Sequence, residues 1–441
     1  MRISRRRIAI ALAVLVASTF ATIATGAPSS PLAPQKSEKK RLNDPTLCTV
    51  CAGDPALMEA GGIVSHGGFP FGKKGGDTAK TDKHLATLDI RWIETAHFRI
   101  GFALGADKVK REDKKKFIAE LTRLEKSFPK KVAPETGLLD PWLRVHLYAQ
   151  RCEEIYTRFL EIVDGQSATF ADGSGQWRGY YQGEGPYLGM KEKYEVLIVP
   201  NEAAHVDFLL ENAGLRIRNT QRWHFVDVGS ITVSMHTQQG NLRSDAGLHG
   251  HVAFNLAHNL YDGLNHYSYD TPVWLHEGLA HFMGREIDPK NNSFDGGEGA
   301  VAEMTTKSNW KPEVLKLISA NEAPRMAELM ALKNFGELKL VHHFTTWSMV
   351  DFLIATKPKE FGGFLWAIKR NFDPKGIPTG ANLPDWHRTQ FKEVLGWTYA
   401  EFDQAWRDWV AVAYKAGVPK GGDSLPQLPG GLPPVGGDGD G

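Results

Sequence analysis

Two helical patterns joined by a six-residue link constrain this chain more than any other feature. From about Asp245 to Leu264, Leu248, Val252, Leu256 and Leu260 recur at helical spacing and mark a packed side. His251, Asn255, His258 and Asp262 recur on another face as a single polar stripe, which must meet water, a cleft or an ion. The link Asn265-His266-Tyr267-Ser268-Tyr269-Asp270 leads to a second helix, with Thr271 placed to N-cap it and Pro272 at its first position. Helices joined by so short a link tend to lie antiparallel, which predicts that Glu277 comes to face His258 and Asp262.

Within the second helix, His276-Glu277-Gly278-Leu279-Ala280-His281 has the look of H-E-x-x-H with one residue too many. That motif chelates an ion because its two His stand four apart on one helix face, with the Glu beside them as general base. His276 and His281 are five apart, which turns them about 140° from each other around a helix. They do not share an ion. The pairs that do stand four apart are Glu277 with His281 and His258 with Asp262.

The run Pro272-Val273-Trp274-Leu275-His276-Glu277-Gly278-Leu279-Ala280 resembles the P-x-W-L-x-E-G-L-A element of the gluzincin-type, peptidase MA-like zinc metallopeptidases. In that family an H-E-x-x-H helix lies some twenty residues earlier, and its two His together with the Glu of the second element bind zinc. The resemblance puts Glu277 at the third-ligand position. It also puts His258-Asn259-Leu260-Tyr261-Asp262 where H-E-x-x-H belongs, with Asn259 in place of the catalytic Glu and Asp262 in place of the second His. The stretches 94–100 and 395–409 are similar to the family's first strand and last helix, so the likeness covers about 90 to 413. It implies an α+β, zincin-like fold, a small mixed sheet in the front half followed by a mainly helical C-terminal half.

The chemistry of these residues qualifies what the resemblance implies. One His and two carboxylates, His258, Asp262 and Glu277, can bind a divalent metal with positions left open, a set that admits iron or manganese as well as the zinc of the family. His281 is a further candidate ligand through its relation to Glu277, and His276 is expected at the surface or behind the ligands. Peptide hydrolysis also needs a carboxylate to take the proton of a metal-polarised water. Asn259 cannot, and neither His249 nor His251 stands at the base's register, so no catalytic residue is expected. His342 and His343 open an amphipathic helix, where capping or packing is the simpler role.

Residues 1–26 combine a basic start (Arg2, Arg5, Arg6, Arg7), an apolar run from Ile8 to about Ala17 and small residues near Ala27, the pattern of a cleaved export signal too short to span a bilayer. Removing its four Arg takes the formal charge from +1 to +1 − 4 = −3, and no basic stripe remains to suggest nucleic acid. The segment 27–85, rich in Gly, Pro, Ser and Lys, is expected to be a disordered tether, and 414–441 a disordered Pro/Gly tail. Between them, 86–240 is read as an α+β part and 241–413 as the helical part carrying the site. Alternation predicts strands at Phe98–Phe102, Leu143–Leu147, Tyr194–Ile198 and Ile231–Met235. Helical spacing links Phe117, Leu121, Leu124 and Phe128, and also Ile155, Phe159 and Ile162; Thr398 with Glu401 opens the last helix as a capping box. Of three cysteines, Cys48-Thr49-Val50-Cys51 has no second C-x-x-C to complete a zinc site, and the expectation is a local disulfide with Cys152 left as a buried thiol.

Three functions follow from different classes. The first is an exported, periplasmic or extracellular gluzincin-like protein, catalytically impaired or inactive, that holds a peptide or protein segment in the inherited cleft. The second is an active metallohydrolase with a His/Asp/Glu site. The third is a non-catalytic cell-envelope binding or structural protein in which the stripe is only polar surface.

Overall fold

The structure, a computed structural model, describes residues 42–165, 170, 176–177, 180–268, 270–290, 292–294 and 308–415. The export signal, the beginning of the 27–85 segment and nearly all of the tail lie outside them. The described residues form an α+β unit in which one mixed sheet occupies the N-terminal half and helices dominate the remainder. Among them no helix is long and apolar enough to cross a membrane.

Helices α1 (Pro55–Ala60) and α2 (Thr78–His84) precede strands β1 (Arg91–Glu94) and β2 (Phe98–Phe102). A two-residue ribbon, β3 (Asp107–Lys108) with β4 (Leu138–Leu139), brackets α3 (Lys114–Ser127) and is followed by α4 (Pro141–Ile162). After a second small ribbon, β5 (Gln176–Trp177) with β6 (Tyr180–Tyr181), come β7 (Tyr194–Val199), α5 (Glu202–Ala213), β8 (Gln221–Phe225) and β9 (Ser230–His236). The sheet runs β1-β2-β7-β9-β8, with β2, β7 and β9 parallel and the two edges antiparallel. Three of the expected strands are here. Phe98, Ile100, Phe102, Val196, Ile198, Val233 and Met235 join one core with α4 and the later helices, while Trp92, Leu197 and Val199 point into a second cluster with Phe208 and Leu209 of α5.

The fourth expected strand, Leu143–Leu147, is instead the start of α4. Asp140 accepts from the backbone of Trp142 and Leu143, and Pro141 holds the first helical position, so the capping chemistry of the turn decides. Trp142 to Ala149 are all buried, which leaves no solvent face to impose a 3.6-residue pattern and lets an alternation appear by chance. The tether reading of 27–85 also fails for its described part. Cys48, Val50, Cys51, Ile63, Phe69 and Phe71 are buried, Ser65 pairs with Glu94 on the edge of β1, and Phe71 packs edge-on against Trp92 at 4.9 Å. This segment anchors itself with single apolar residues between glycine turns, so it shows no periodicity.

The C-terminal half consists of α6 (Asp245–Gly263), α7 (Val273–Ile287), α8 (Lys311–Ser319), α9 (Met326–Met330), α10 (Leu340–Thr356), α11 (Pro358–Ile368), α12 (Leu383–Leu395) and α13 (Tyr399–Ala413). The Thr398 and Glu401 capping box forms as expected. At the start of α6, Ser244 caps Gly247, and Asp245 accepts from Arg151 of α4 at 2.9 and 2.8 Å and from Tyr148 at 3.0 Å. Arg151 also reaches Glu120 of α3 at 2.6 Å. This fully buried guanidinium ties three helices together.

Candidate metal centre

Helix α7 lies between α6 and α10. What allows the close approach is Gly278: a Cβ there would stand 2.6 Å from the Thr346 carbonyl oxygen and 2.8 Å from Val350 Cγ2 on α10. The backbone of α10 therefore runs directly against α7, and the side chains on either side of Gly278 meet those of α10 at short range. Helix α7 begins one residue later than expected: Pro272 is its N-cap and Thr271 makes no capping bond.

Glu277 is the centre of a wholly buried group. Its Oε1 is 2.8 Å from His281 Nε2 and 3.0 Å from His343 Nδ1, and those two nitrogens are 3.0 Å from each other. Its Oε2 is 3.4 Å from His258 Nε2 of α6, and neither of these atoms has a hydrogen-bond partner. The four side chains are 0 to 1 % exposed. Phe254 packs against His258 and His281, and Phe294 and Trp310 pack against His281. The other nitrogen of each ring, His281 Nδ1 and His343 Nε2, has no hydrogen-bond partner.

Burial opposes charge on the Glu277 carboxyl, yet the neighbouring His281 and polar contacts from His258, His281 and His343 hold it well below the usual carboxylate range. Burial draws His281 down to about 4, with Glu277 pulling the other way.

The sequence-predicted residues separate into two sets. His258, Glu277 and His281 come together as described. Asp262 does not join them: its carboxylate faces His276 Nε2 at 3.5 Å. The five-residue spacing explains this, because His276 and His281 leave α7 on different sides, one toward Asp262 of α6 and the other toward α10. His276 is buried rather than at the surface, with its ring stacked on His258 at 5.6 Å between centroids. His343 is the member the sequence did not place. Of the adjacent pair, His342 performs the expected capping, accepting from the Lys339 backbone at 2.9 Å, and the next residue turns inward to Glu277. Only the packing of α10 on α7, unmarked in the sequence, brings it there.

The polar stripe of α6 meets the protein interior. His251 lies 2.8 Å from the Thr220 hydroxyl and 2.9 Å from that of Ser293, and Asn255 accepts from Arg222 at 3.0 Å. Asn259 is completely buried, and neither atom of its amide has a hydrogen-bond partner. A cavity beside the link between α6 and α7, about 750 Å³, is lined by His224, Val226, His266, Tyr267, Asp270 and Thr379 among others, but not by Glu277.

Among the described residues, two buried groups bring three ligand atoms within 4.8 Å of one another: Glu277, His281 and His343, and separately Cys48, Cys51 and His146. Either could hold a metal ion. No protein-family model matches the chain, and no curated protein matches it significantly.

Proposed function

We propose that this chain is an exported gluzincin-like protein that holds one divalent metal ion through Glu277, His281 and His343, with His258 beside them, and that does not hydrolyse peptides. The observation that carries the metal reading is the triangle formed by Glu277 Oε1, His281 Nε2 and His343 Nδ1, with sides of 2.8, 3.0 and 3.0 Å. Hydrogen bonds cannot satisfy it. A neutral imidazole nitrogen either donates or accepts, so at least one side of the triangle sets two lone pairs or two N–H groups against each other. Ligand atoms about 2.1 Å from a common cation stand roughly 3.0 to 3.4 Å apart, close to the separations found. A cation would also offset the carboxylate's buried charge.

Two imidazoles and a carboxylate suit zinc and also admit iron or manganese. When bound, such an ion supplies Lewis acidity to whatever oxygen reaches it. The chain's own residues argue against peptide turnover. The amide of Asn259 cannot take a proton from water, Glu277 is committed to the imidazoles around it, and Asp262 is engaged by His276. The complete burial of the four side chains leaves no access for a peptide carbonyl. Export rests on the pattern of residues 1–26, and peptide or protein-segment binding would use the cavity beside the α6–α7 link.

The test is metal analysis of the purified chain after dialysis against zinc, beside Glu277→Gln and His343→Ala, with casein turnover measured in parallel. The wild type is expected to carry one equivalent of metal more than either variant, with no casein turnover. Equal metal content in all three proteins would overturn the metal assignment. Turnover abolished by Glu277→Gln would overturn the loss of catalysis.

A further inference from the structure

The segment 42–85 contains a second constellation, independent of Glu277. Cys48 and Cys51 are both buried, and their sulfurs are 3.5 Å apart, well beyond the roughly 2.05 Å of a disulfide, so both thiols are free. The disulfide expected from the sequence is therefore not formed; Cys152 is a buried free thiol, as expected. A short turn with Ala52 and Gly53 in the left-handed region follows Cys51. Before it, the Cys51 N–H points at Cys48 Sγ, 3.3 Å away.

Two imidazoles close on these sulfurs from different parts of the chain. His146 of α4 brings Nε2 within 3.2 Å of Cys48 Sγ, and His66 brings Nε2 within 3.0 Å of Cys51 Sγ. His66 Nδ1 lies 2.9 Å from the Trp92 carbonyl oxygen, an acceptor only. The ring proton must therefore sit on Nδ1, which leaves the Nε2 lone pair aimed at the sulfur. This is the arrangement that orients metal-bound histidines. The two rings stand edge to face with centroids 5.7 Å apart.

We propose that Cys48, Cys51, His66 and His146 form a structural zinc site that fastens the 42–85 segment to β1 and α4. Two sulfurs and two imidazole nitrogens are the donor set of closed, tetrahedral zinc sites. The sequence hid the site because its histidines lie 15 and 95 residues after Cys51, outside any finger-like spacing.

The location indicates a purpose. Residues 48 to 71 cover the sheet with few apolar side chains, and a closed metal site supplies the fastening that a small core does not. The same ion would join the segment to β1 through Trp92 and to α4 through His146.

The experiment uses the full chain, purified under reducing conditions and loaded with cobalt(II) or zinc. Cobalt is expected to give near-ultraviolet thiolate-to-metal charge-transfer bands and the intense visible bands of a tetrahedral ion. Glu277 and its partners carry no sulfur and cannot produce the former. Cys51→Ser and His66→Ala should each lose one equivalent of zinc while Glu277→Gln retains it, and Cys152→Ser should leave the cobalt spectrum unchanged. If the cysteine variants do not fold, the wild type still decides the matter. Chelation should expose two further thiols to a disulfide reagent and speed proteolysis between 42 and 85 at least tenfold. Absence of the charge-transfer bands in reduced wild-type protein would overturn the site, as would a Cys48–Cys51 disulfide found in the native chain or chelation that leaves thiol reactivity and proteolysis unchanged.

Discussion

Gly278→Ala is the substitution in which fold and site separate most clearly. Helix propensity alone favours it, because alanine in a helix interior is worth about 1 kcal/mol over glycine. Packing opposes it. The new methyl would meet the Thr346 carbonyl oxygen at 2.6 Å, where ordinary contact begins at 3.4 Å, so α10 would have to withdraw by about 0.8 Å locally. Overpacking of this kind costs about 1 to 3 kcal/mol, so after the propensity gain the net effect lies between no change and a loss of about 2 kcal/mol. His343 lies one turn before Thr346, and the same withdrawal would take its Nδ1 from 3.0 Å to nearly 4 Å from Glu277. Metal constellations tolerate about 0.5 Å of misplacement, so affinity should fall at least tenfold. Urea denaturation of the metal-free proteins and metal titration measure the two effects. Gly363→Ala on α11 is the control: its methyl would meet only Val394 Cγ1, at an unstrained 3.5 Å, and a gain of about 0.5 to 1 kcal/mol is expected. If Gly278→Ala stabilised the protein as Gly363→Ala does and left metal affinity unchanged, the close-packing argument would be refuted.

Two further outcomes follow from buried charge. Arg151→Met should cost about 3 to 5 kcal/mol in chemical denaturation, because Asp245 and Glu120 are left buried without their cation; a loss under about 1 kcal/mol would show that they find another partner. Glu195, which accepts from the Gly72 N–H and the Thr232 hydroxyl, is raised by burial from its usual 4.5 to about 7. A raised carboxyl stabilises the fold fully below its unfolded value, and that contribution is lost as pH rises through about 7. Relative to the wild type, Glu195→Gln should thus gain up to about 3 kcal/mol between pH 4.5 and 8, and parallel pH profiles would contradict the assignment.

The parts of the molecule legible in the sequence are those where one face is wet or one cap is chemically distinct. Alternation located β2, β7 and β9, and the Thr398 and Glu401 pair located the start of α13, because each signal is local. Alternation misled at Leu143–Leu147, where burial on all sides erases the helical period. At the site, counting five residues from His276 to His281 separated the two histidines correctly, and the antiparallel argument brought Glu277 to His258. The assignment of Asp262 to the same centre did not survive, since it depended on which histidine α7 would present to α6. His343 comes from a helix that begins some sixty residues after Glu277, and no periodicity encodes that approach. His66 and His146 were missed for the same reason.

The parallel centre of the sheet has a kinetic consequence. Phe98 pairs with Tyr194, so β2 meets β7 only after the chain has closed a loop of about 96 residues that contains all of α3 and α4. Closing such a loop costs entropy before any strand-to-strand bond repays it, and pairings of this range fold slowly. Helices α3 and α4 can form early from local contacts, while the apolar faces of β2, β7 and β9 stay uncovered until that closure. The order in which this chain folds is thus set less by its helices than by one distant handshake between Phe98–Phe102 and Tyr194–Val199, and the time before it is when the chain is most open to aggregation.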